Sequence, residues 1–141
     1  MADANHNKQV EAERKALRNR LSSFYRSFNR EKFEKCYEFI DPELRDRGRV
    51  EKHKYTTSLS DFLAYYGTMT TVWTKIEIYY EIETRAGVQT FAYPLIVWKD
   101  SRNVHHLFRE RWVKRGDTWY TRVVGLVSPD RDRGEVIEPT V

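Results

Sequence analysis

The chain has 141 residues, of which 40% are hydrophobic and 14% aromatic, a composition typical of one globular domain. Its 25 basic and 21 acidic residues leave a net charge of +4 that is spread along the chain, which disfavours a nucleic-acid surface. The single cysteine excludes an internal disulfide, and the longest apolar run is too short to cross a bilayer. We therefore expect a cytoplasmic protein with no membrane partner, and nucleic-acid binding is a disfavoured alternative.

Residues 9–67 show the spacing of three amphipathic helices. One face of the first helix carries Val10, Leu17, Leu21, Phe24 and Phe28. The second begins near Phe33 and must end before Pro42, which disfavours a helical conformation in the preceding residue. Residues 43–55 are charged and predict a surface loop with up to one helical turn. A capping signal at Ser58 opens the third helix, and Gly67 ends it.

Residues 71–126 predict four long antiparallel strands joined by short polar turns. Alternation begins near Val72, and further strands cover 88–98, 104–114 and the segment from Trp119 onward. Pro94 lacks an N–H donor, so we expect a bulge or an edge position there. Helices followed by an antiparallel sheet predict an α+β domain over residues 9–127, with a sheet that curls around the helices. Residues 1–8 are expected to be flexible, and residues 128–141 to form a loose tail.

The third predicted strand carries the strongest candidate site. One face holds His106, Phe108, Glu110 and Trp112, and its large aromatic residues indicate that this face points toward the helices. Burial between aromatic rings would raise the pKa of Glu110 and make it a candidate proton donor or shuttle. Alternatively, a helix cap, a tyrosine hydroxyl or an arginine satisfies this carboxyl group. His106 lies four residues away, too far for a direct dyad at ~3.3 Å per residue.

Other chemistry is less well supported by the residue pattern. His105 and His106 are adjacent on a strand and point to opposite faces, and no metal-ligand spacing is present. We predict no metal and no cofactor. Cys36 lies on the apolar stripe of the second helix, which favours a small core residue over a nucleophile.

Two segments carry a family resemblance: FYRSFNREKFEKCYEFIDPEL at 24–44 and RERWVKRGDTWYTRVVGL at 109–126. With the order of elements, they resemble the NTF2-like superfamily, the cystatin-like α+β cone of ketosteroid isomerases, scytalone dehydratase and SnoaL-like cyclases. The resemblance covers most of residues 9–127 and implies a homodimer formed through the sheet. It also implies an acid at Glu110, an aromatic position at Phe24 where the isomerases have a tyrosine, and a base near Asp46 or Glu51.

These observations lead to three hypotheses about function. The first is a domain that binds an unknown small, partly apolar molecule in a pocket between helices and sheet, lined by Phe24, Tyr25, Tyr37, His106, Phe108 and Trp112. The second is a cofactor-independent isomerase, dehydratase or cyclase that uses Glu110 as acid or base. The third is a homodimerisation or protein-association module in which Trp73, Tyr79 and Trp119 project outward from the sheet.

Overall fold

The computed structural model describes residues 2–48, 50–75, 78–84, 87–122 and 136–137, with side chains over 8–48, 50–71 and 89–122. Within these ranges the chain forms four helices and eight strands, so the predicted α+β class is confirmed. The helices are α1 (Ala2–Asn29), α2 (Phe33–Tyr37), α3 (Pro42–Asp46) and α4 (Lys52–Tyr66). The first helix extends further toward the N-terminus than its apolar stripe predicts.

The third predicted helix is longer than expected and begins earlier. Glu51 caps α4 by accepting hydrogen bonds from the backbone N–H groups of His53 and Lys54, at 3.0 and 2.8 Å. The predicted start at Ser58 is therefore wrong, because the carboxylate of Glu51 satisfies the first free N–H groups two turns upstream. The predicted end is confirmed: Gly67 follows the helix with a φ of 77°.

The four predicted strands are present, but the first three are each divided into two. They form β1 (Thr70–Lys75) and β2 (Ile78–Thr84), β3 (Gly87–Ala92) and β4 (Leu95–Lys99), and β5 (His105–Arg109) and β6 (Trp112–Arg115). The fourth is β7 (Thr118–Thr121), and β8 (Val136–Ile137) follows. Pro94 lies between β3 and β4, so the strand is interrupted there where a bulge or an edge position was predicted.

The strands form two four-stranded sheets, in the orders β1-β4-β5-β8 and β2-β3-β6-β7. All pairs are antiparallel except β5 with β8, which is parallel. β1 and β2 belong to different sheets, as do β7 and β8, and the chain also crosses between the sheets from β3 to β4 and from β5 to β6. Two corners therefore lie next to each other, where the sheets meet. Within the predicted tail, residues 136–137 pair with β5, and residues 128–135 and 138–141 lie outside the described residues.

The core lies between the helices and the inner faces of the sheets. His106 and Phe108 are buried and His105 is exposed, so the predicted orientation of β5 is confirmed. Trp119 is fully buried, which makes its predicted outward position wrong. Its ring faces the core because β7 packs against α1, at the end of the sheet. The side chains of Trp73 and Tyr79 lie outside the described ones.

Ion pairs attach the segment before α3 to the second sheet. The buried carboxylate of Asp41 accepts hydrogen bonds from Arg115 and from Arg122, with Nη···Oδ2 distances of 2.9 and 2.7 Å. Arg115 also pairs with Glu43 at 2.8 Å. Burial alone would raise the pKa of Asp41, but the bonds from the two arginines and from the Glu43 N–H lower it below its usual value. Asp41 is thus held as a structural anion.

Candidate functional site

Glu110 occupies one of the two corners between the sheets. β5 ends at Arg109 and β6 begins at Trp112, so Glu110 belongs to neither strand. Its backbone N–H donates to the carbonyl oxygen of Pro94, 2.9 Å away in the neighbouring corner. This hydrogen bond therefore connects the two corners. The side chain of Glu110 is left in the core, and the residue is only 7% exposed.

The carboxyl group of Glu110 is held by two neutral hydrogen-bond donors. The Tyr25 hydroxyl donates a short hydrogen bond to Oε2, and the indole N–H of Trp112 donates to Oε1 at 2.9 Å. Tyr25 comes from α1 and Trp112 from β6, so the carboxyl group joins helix to sheet. Within the described residues, no arginine or lysine forms an ion pair with Glu110. Of the ways to satisfy this carboxyl group, the fold uses a tyrosine hydroxyl together with an indole.

Burial controls the protonation of this pair. It raises the pKa of Glu110, and the hydrogen bonds from Tyr25 and Trp112 oppose the shift without cancelling it. The predicted effect of desolvation on Glu110 is therefore confirmed. Burial is also the largest cause that raises the pKa of the Tyr25 hydroxyl, and the negative charge of Glu110 adds to it. Both groups hold their protons more tightly than they would in water.

Aromatic rings close the site on the helix side. Phe24 meets Tyr25 edge-to-face at a centroid distance of 5.3 Å, and Trp112 at 6.5 Å. Phe24 is 5% exposed and Trp112 is fully buried. These two predicted lining residues therefore lie beside Glu110 as parts of the packed core.

Tyr55 on α4 is a further buried tyrosine near the site, and sequence reasoning missed it. Its side chain is buried, and burial raises the pKa of its hydroxyl well above the usual value. The charges of Cys36 and Glu110 raise that pKa further. The signal was present in the sequence, because Tyr55, Leu59, Phe62 and Tyr66 follow helical spacing. It was overlooked because Tyr55 was assigned to the predicted loop.

A small open cleft reaches Tyr25 from the surface. Its volume is about 110 Å³, and it is lined by Arg18, Leu21, Ser22, Tyr25, Thr71 and Ile96, which we call the Tyr25 cleft. Its apolar part is formed by buried residues of α1 and β4, whereas Arg18, Ser22 and Thr71 are exposed. Of these six residues, Tyr25 is the one that also contacts Glu110.

Two of the predicted lining residues are used elsewhere in the core. Tyr37 donates its hydroxyl hydrogen to the backbone carbonyl of Val50 at 2.9 Å. Phe108 packs against Trp98 and Phe62, at centroid distances of 5.2 and 6.4 Å. Neither residue lines the Tyr25 cleft.

His106 belongs to a separate polar cluster near the other end of β5. Its Nε2 lies 2.9 Å from a carboxylate oxygen of Asp100, and its ring stacks on Trp98 at 4.3 Å. Burial would raise the pKa of Asp100. Hydrogen bonds from His106, from the Val104 N–H and from Arg102 instead lower it to about 2. His106 thus lies with Asp100, on a different part of the fold from the Tyr25–Glu110 pair.

The other residues that could carry chemistry have structural positions. Glu51 caps α4, and Asp46 is the exposed last residue of α3. Burial raises the pKa of the Cys36 thiol to about 12, and its Sγ lies 3.7 Å from the carbonyl oxygen of Phe24, so its predicted core position is confirmed. Among the described residues, no three His, Cys, Asp or Glu side chains are grouped to hold a metal ion.

Comparisons with known proteins found no match among family models, curated proteins or solved structures. A search of the described residues for membrane-spanning segments found no helix of sufficient length and apolar character.

Proposed function

We propose that this protein binds a small, partly apolar molecule in the Tyr25 cleft, with Tyr25 at its polar end and Glu110 behind it. The proposal rests on two roles of Tyr25: its side chain lines the cleft, and its hydroxyl donates to the buried carboxyl group of Glu110. A ligand that contacts this hydroxyl therefore also senses the protonation state of Glu110.

The dimensions and lining of the cleft define the class of ligand. Its volume of about 110 Å³ is below the ~300 Å³ at which typical drug-sized pockets begin, and is nearer to an engineered cavity of ~150 Å³ that binds benzene. The ligand is therefore a single ring or one ring of a larger molecule. Leu21 and Ile96 offer apolar contacts to this ring, and Arg18 and Ser22 offer polar contacts at the entrance.

The protonation state of Glu110 selects the polar group of the ligand. While Tyr25 donates to an ionised Glu110, its oxygen accepts a hydrogen bond, which suits a ligand hydroxyl. When Glu110 is protonated, its own O–H can donate to Tyr25, and the tyrosine hydrogen is then free for a ligand carbonyl. Phenol and cyclohexanone are probes for these two states.

The experiment is saturation-transfer NMR with phenol and with cyclohexanone. Ser22→Trp places an indole at the entrance of the Tyr25 cleft and is expected to abolish transfer to both probes. Gln9→Trp is the matched control, since it adds the same ring to an exposed position about 20 Å away along α1. The proposal is wrong if the wild type gives no transfer or if Ser22→Trp transfers as well as Gln9→Trp.

Catalysis is a second candidate, supported by the hydrogen bond between two buried groups whose pKa values are both raised. Glu110 does not itself line the cleft, so a proton would move between Glu110 and a substrate through the Tyr25 hydroxyl. We expect exchange of the α-hydrogens of cyclohexanone in D₂O to be faster than in buffer alone. It should fall at least ~10²-fold in Glu110→Gln and remain unchanged in the control Asp46→Asn. Equal exchange rates for Glu110→Gln and the wild type would exclude catalysis through Glu110. Ligand binding would then be the remaining proposal.

The finer structural assignments are also proposals. The order of helices before sheets and the buried position of Glu110 support an NTF2-like cone, and the buried Cys36 agrees with a cytoplasmic location. A homodimer through the sheet is supported by part-buried outward residues, since Val97 and Leu107 are paired across β4 and β5. Light scattering at micromolar concentration tests the dimer, which Val97→Lys should dissociate. A monomeric wild type would exclude it.

A further inference from the structure

A second cleft, of about 280 Å³, lies at the end of α1 and is separate from the Tyr25 cleft. Its lining includes five basic side chains and no acidic one: Arg20, Arg26, Arg30, Lys32 and Lys35. We call it the basic cleft. It shares no lining residue with the Tyr25 cleft, so a ligand here is independent of the function proposed above.

The chain reversal after α1 brings these charges together. Arg20 and Arg26 lie in the last three turns of α1, and Arg30 directly follows the helix. The chain then turns at Glu31, which has a φ of 61°, and the Lys32 N–H donates to the carbonyl of Ser27 at 2.8 Å. The turn places Lys32 and the following helix α2 beside the arginines. Charges that are distant along the chain thus meet in one concave surface.

Arg20 is fixed in the wall of the basic cleft. Its Nε donates to the carbonyl oxygen of Trp119 at 2.9 Å, and its guanidinium lies over the Phe39 ring at 4.0 Å from the centroid. Both terminal nitrogens remain without a hydrogen-bond partner in the described part of the chain. A guanidinium held in this way presents a rigid pair of donors suited to a phosphate oxygen.

The basic cleft lacks counter-charges among the described side chains. None of its five cations forms an ion pair there, although Arg14, Lys114 and Arg115 each have an acidic partner. Neighbouring like charges repel one another and raise the local positive potential. An anion that enters would relieve this repulsion and gain hydrogen bonds from several side chains at once.

We propose that the basic cleft binds a di- or triphosphate group. Several cations around one concavity match an anion that concentrates several negative charges in a small volume, whereas a carboxylate would engage only one or two of them. The hydroxyls of Ser23 and Ser27 also line the cleft and can donate to phosphate oxygens. The limited volume of about 280 Å³ favours a compact polyphosphate over the extended backbone of a nucleic acid, which requires a continuous basic groove.

The experiment is calorimetric titration of inorganic tripolyphosphate into the protein at low salt. Lys32→Glu/Lys35→Glu reverses two charges of the cleft. Lys8→Glu/Lys15→Glu reverses two exposed lysines that do not line the cleft, and both variants change the net charge from +4 to 0. We expect binding about 100-fold weaker in the first variant, on the basis of about tenfold per charge-assisted contact, and less than threefold weaker in the control.

The outcomes separate the proposal from its alternatives. Lys32→Arg/Lys35→Arg should retain binding, which shows that charge and not the native lysine structure is required. Equal losses in the two glutamate variants, or no binding by the wild type, would overturn the proposal. Binding of single-stranded polyuridylate that tripolyphosphate does not displace would assign the cleft to nucleic acid instead and overturn it too. Thermal unfolding of each variant verifies that the fold is intact.

Discussion

Asp41 and Glu110 are both buried carboxyl groups that connect helical segments to the sheets, but their partners are opposite in kind. Asp41 is surrounded by Arg115 and Arg122 and has a lowered pKa. Glu110 receives hydrogen bonds from Tyr25 and Trp112, which carry no charge, and has a raised pKa. Burial opposes ionisation at both sites; the arginine partners outweigh it at Asp41, whereas the neutral donors do not outweigh it at Glu110.

The comparison separates a structural carboxylate from a potentially functional one. Cations that surround Asp41 fix its charge, and a group with a fixed charge cannot exchange a proton at neutral pH. Neutral donors satisfy the hydrogen-bonding requirement of the Glu110 carboxyl group but do not fix its charge. A raised pKa places such a group nearer the pH at which proton exchange is useful. Four measurements test this distinction.

The largest expected effect is that of Asp41→Asn on stability. The substitution leaves two arginines without their buried anion, and we expect the free energy of unfolding to fall by about 3 kcal/mol at pH 7. This value is at the low end for a broken buried pair because Arg115 is 29% exposed and keeps Glu43 as a partner. Urea denaturation measures it. Asp46→Asn, at the exposed end of α3, should change stability by less than ~0.5 kcal/mol.

Asp100 extends the comparison to an anion paired with histidine and arginine. Asp100→Asn should cost about 2 kcal/mol at pH 7, because the hydrogen bonds that the charged carboxylate accepts are weakened or lost. A lowered pKa stabilises the fold above the unfolded value of ~3.9, and this contribution is lost as the pH falls toward about 2. The stability difference between wild type and variant should therefore shrink between about pH 4 and pH 2. A constant difference over this range would contradict the assignment.

Glu110→Gln should show the opposite pH dependence. The amide keeps the shape but can accept from only one of the two donors, at a cost of about 1–2 kcal/mol at pH 4. A raised pKa means that wild-type stability is highest below the unfolded value of ~4.3 and declines as the pH rises through the folded pKa. The difference from the variant should thus shrink with rising pH. Glu38→Gln, at an exposed position, is the control, and a difference that grows with pH would contradict the raised pKa.

Tyr25→Phe should have the smallest effect on stability, about 1 kcal/mol, because it removes one hydrogen bond and retains the ring. The lost bond is one of the two that lower the pKa of Glu110, so that pKa should rise further. Carbon-13 NMR titration of the carboxyl group measures this change. Tyr65→Phe, at a half-exposed ring, provides the control. An unchanged or lower pKa in Tyr25→Phe would mean that the hydroxyl does not donate to Glu110.

Local patterns predicted much of the fold. The period of two located the four strand segments, and the inward face of the third was assigned correctly for His106, Phe108 and Glu110. Pro94 marked one of the two corners, because a residue without an N–H cannot continue the ladder. These features depend on each residue's own backbone and on its immediate neighbours, which the sequence contains.

Other features depended on contacts that local patterns do not contain. The capping signal at Ser58 was weaker than the competing cap at Glu51, so the start of α4 and the position of Tyr55 were misplaced. Trp119 was expected at the surface, but its burial depends on where β7 meets the helices. The basic residues around the end of α1 carry no local signal of a site, because only the reversal at Glu31 brings Lys32 and Lys35 beside the arginines.

The sequence by itself determined the α+β class, the inward face of β5 and the buried setting of Glu110. Only the tertiary structure decided that two sheet corners meet at Glu110, that Tyr25 and Trp112 donate to it, and that His106 pairs with Asp100 instead. The physical reason is the separation along the sequence. Periodic patterns reflect residues that are a few positions apart, whereas the Tyr25–Glu110 contact joins positions 85 residues apart. Such a contact exists only after the helices have packed on the sheets.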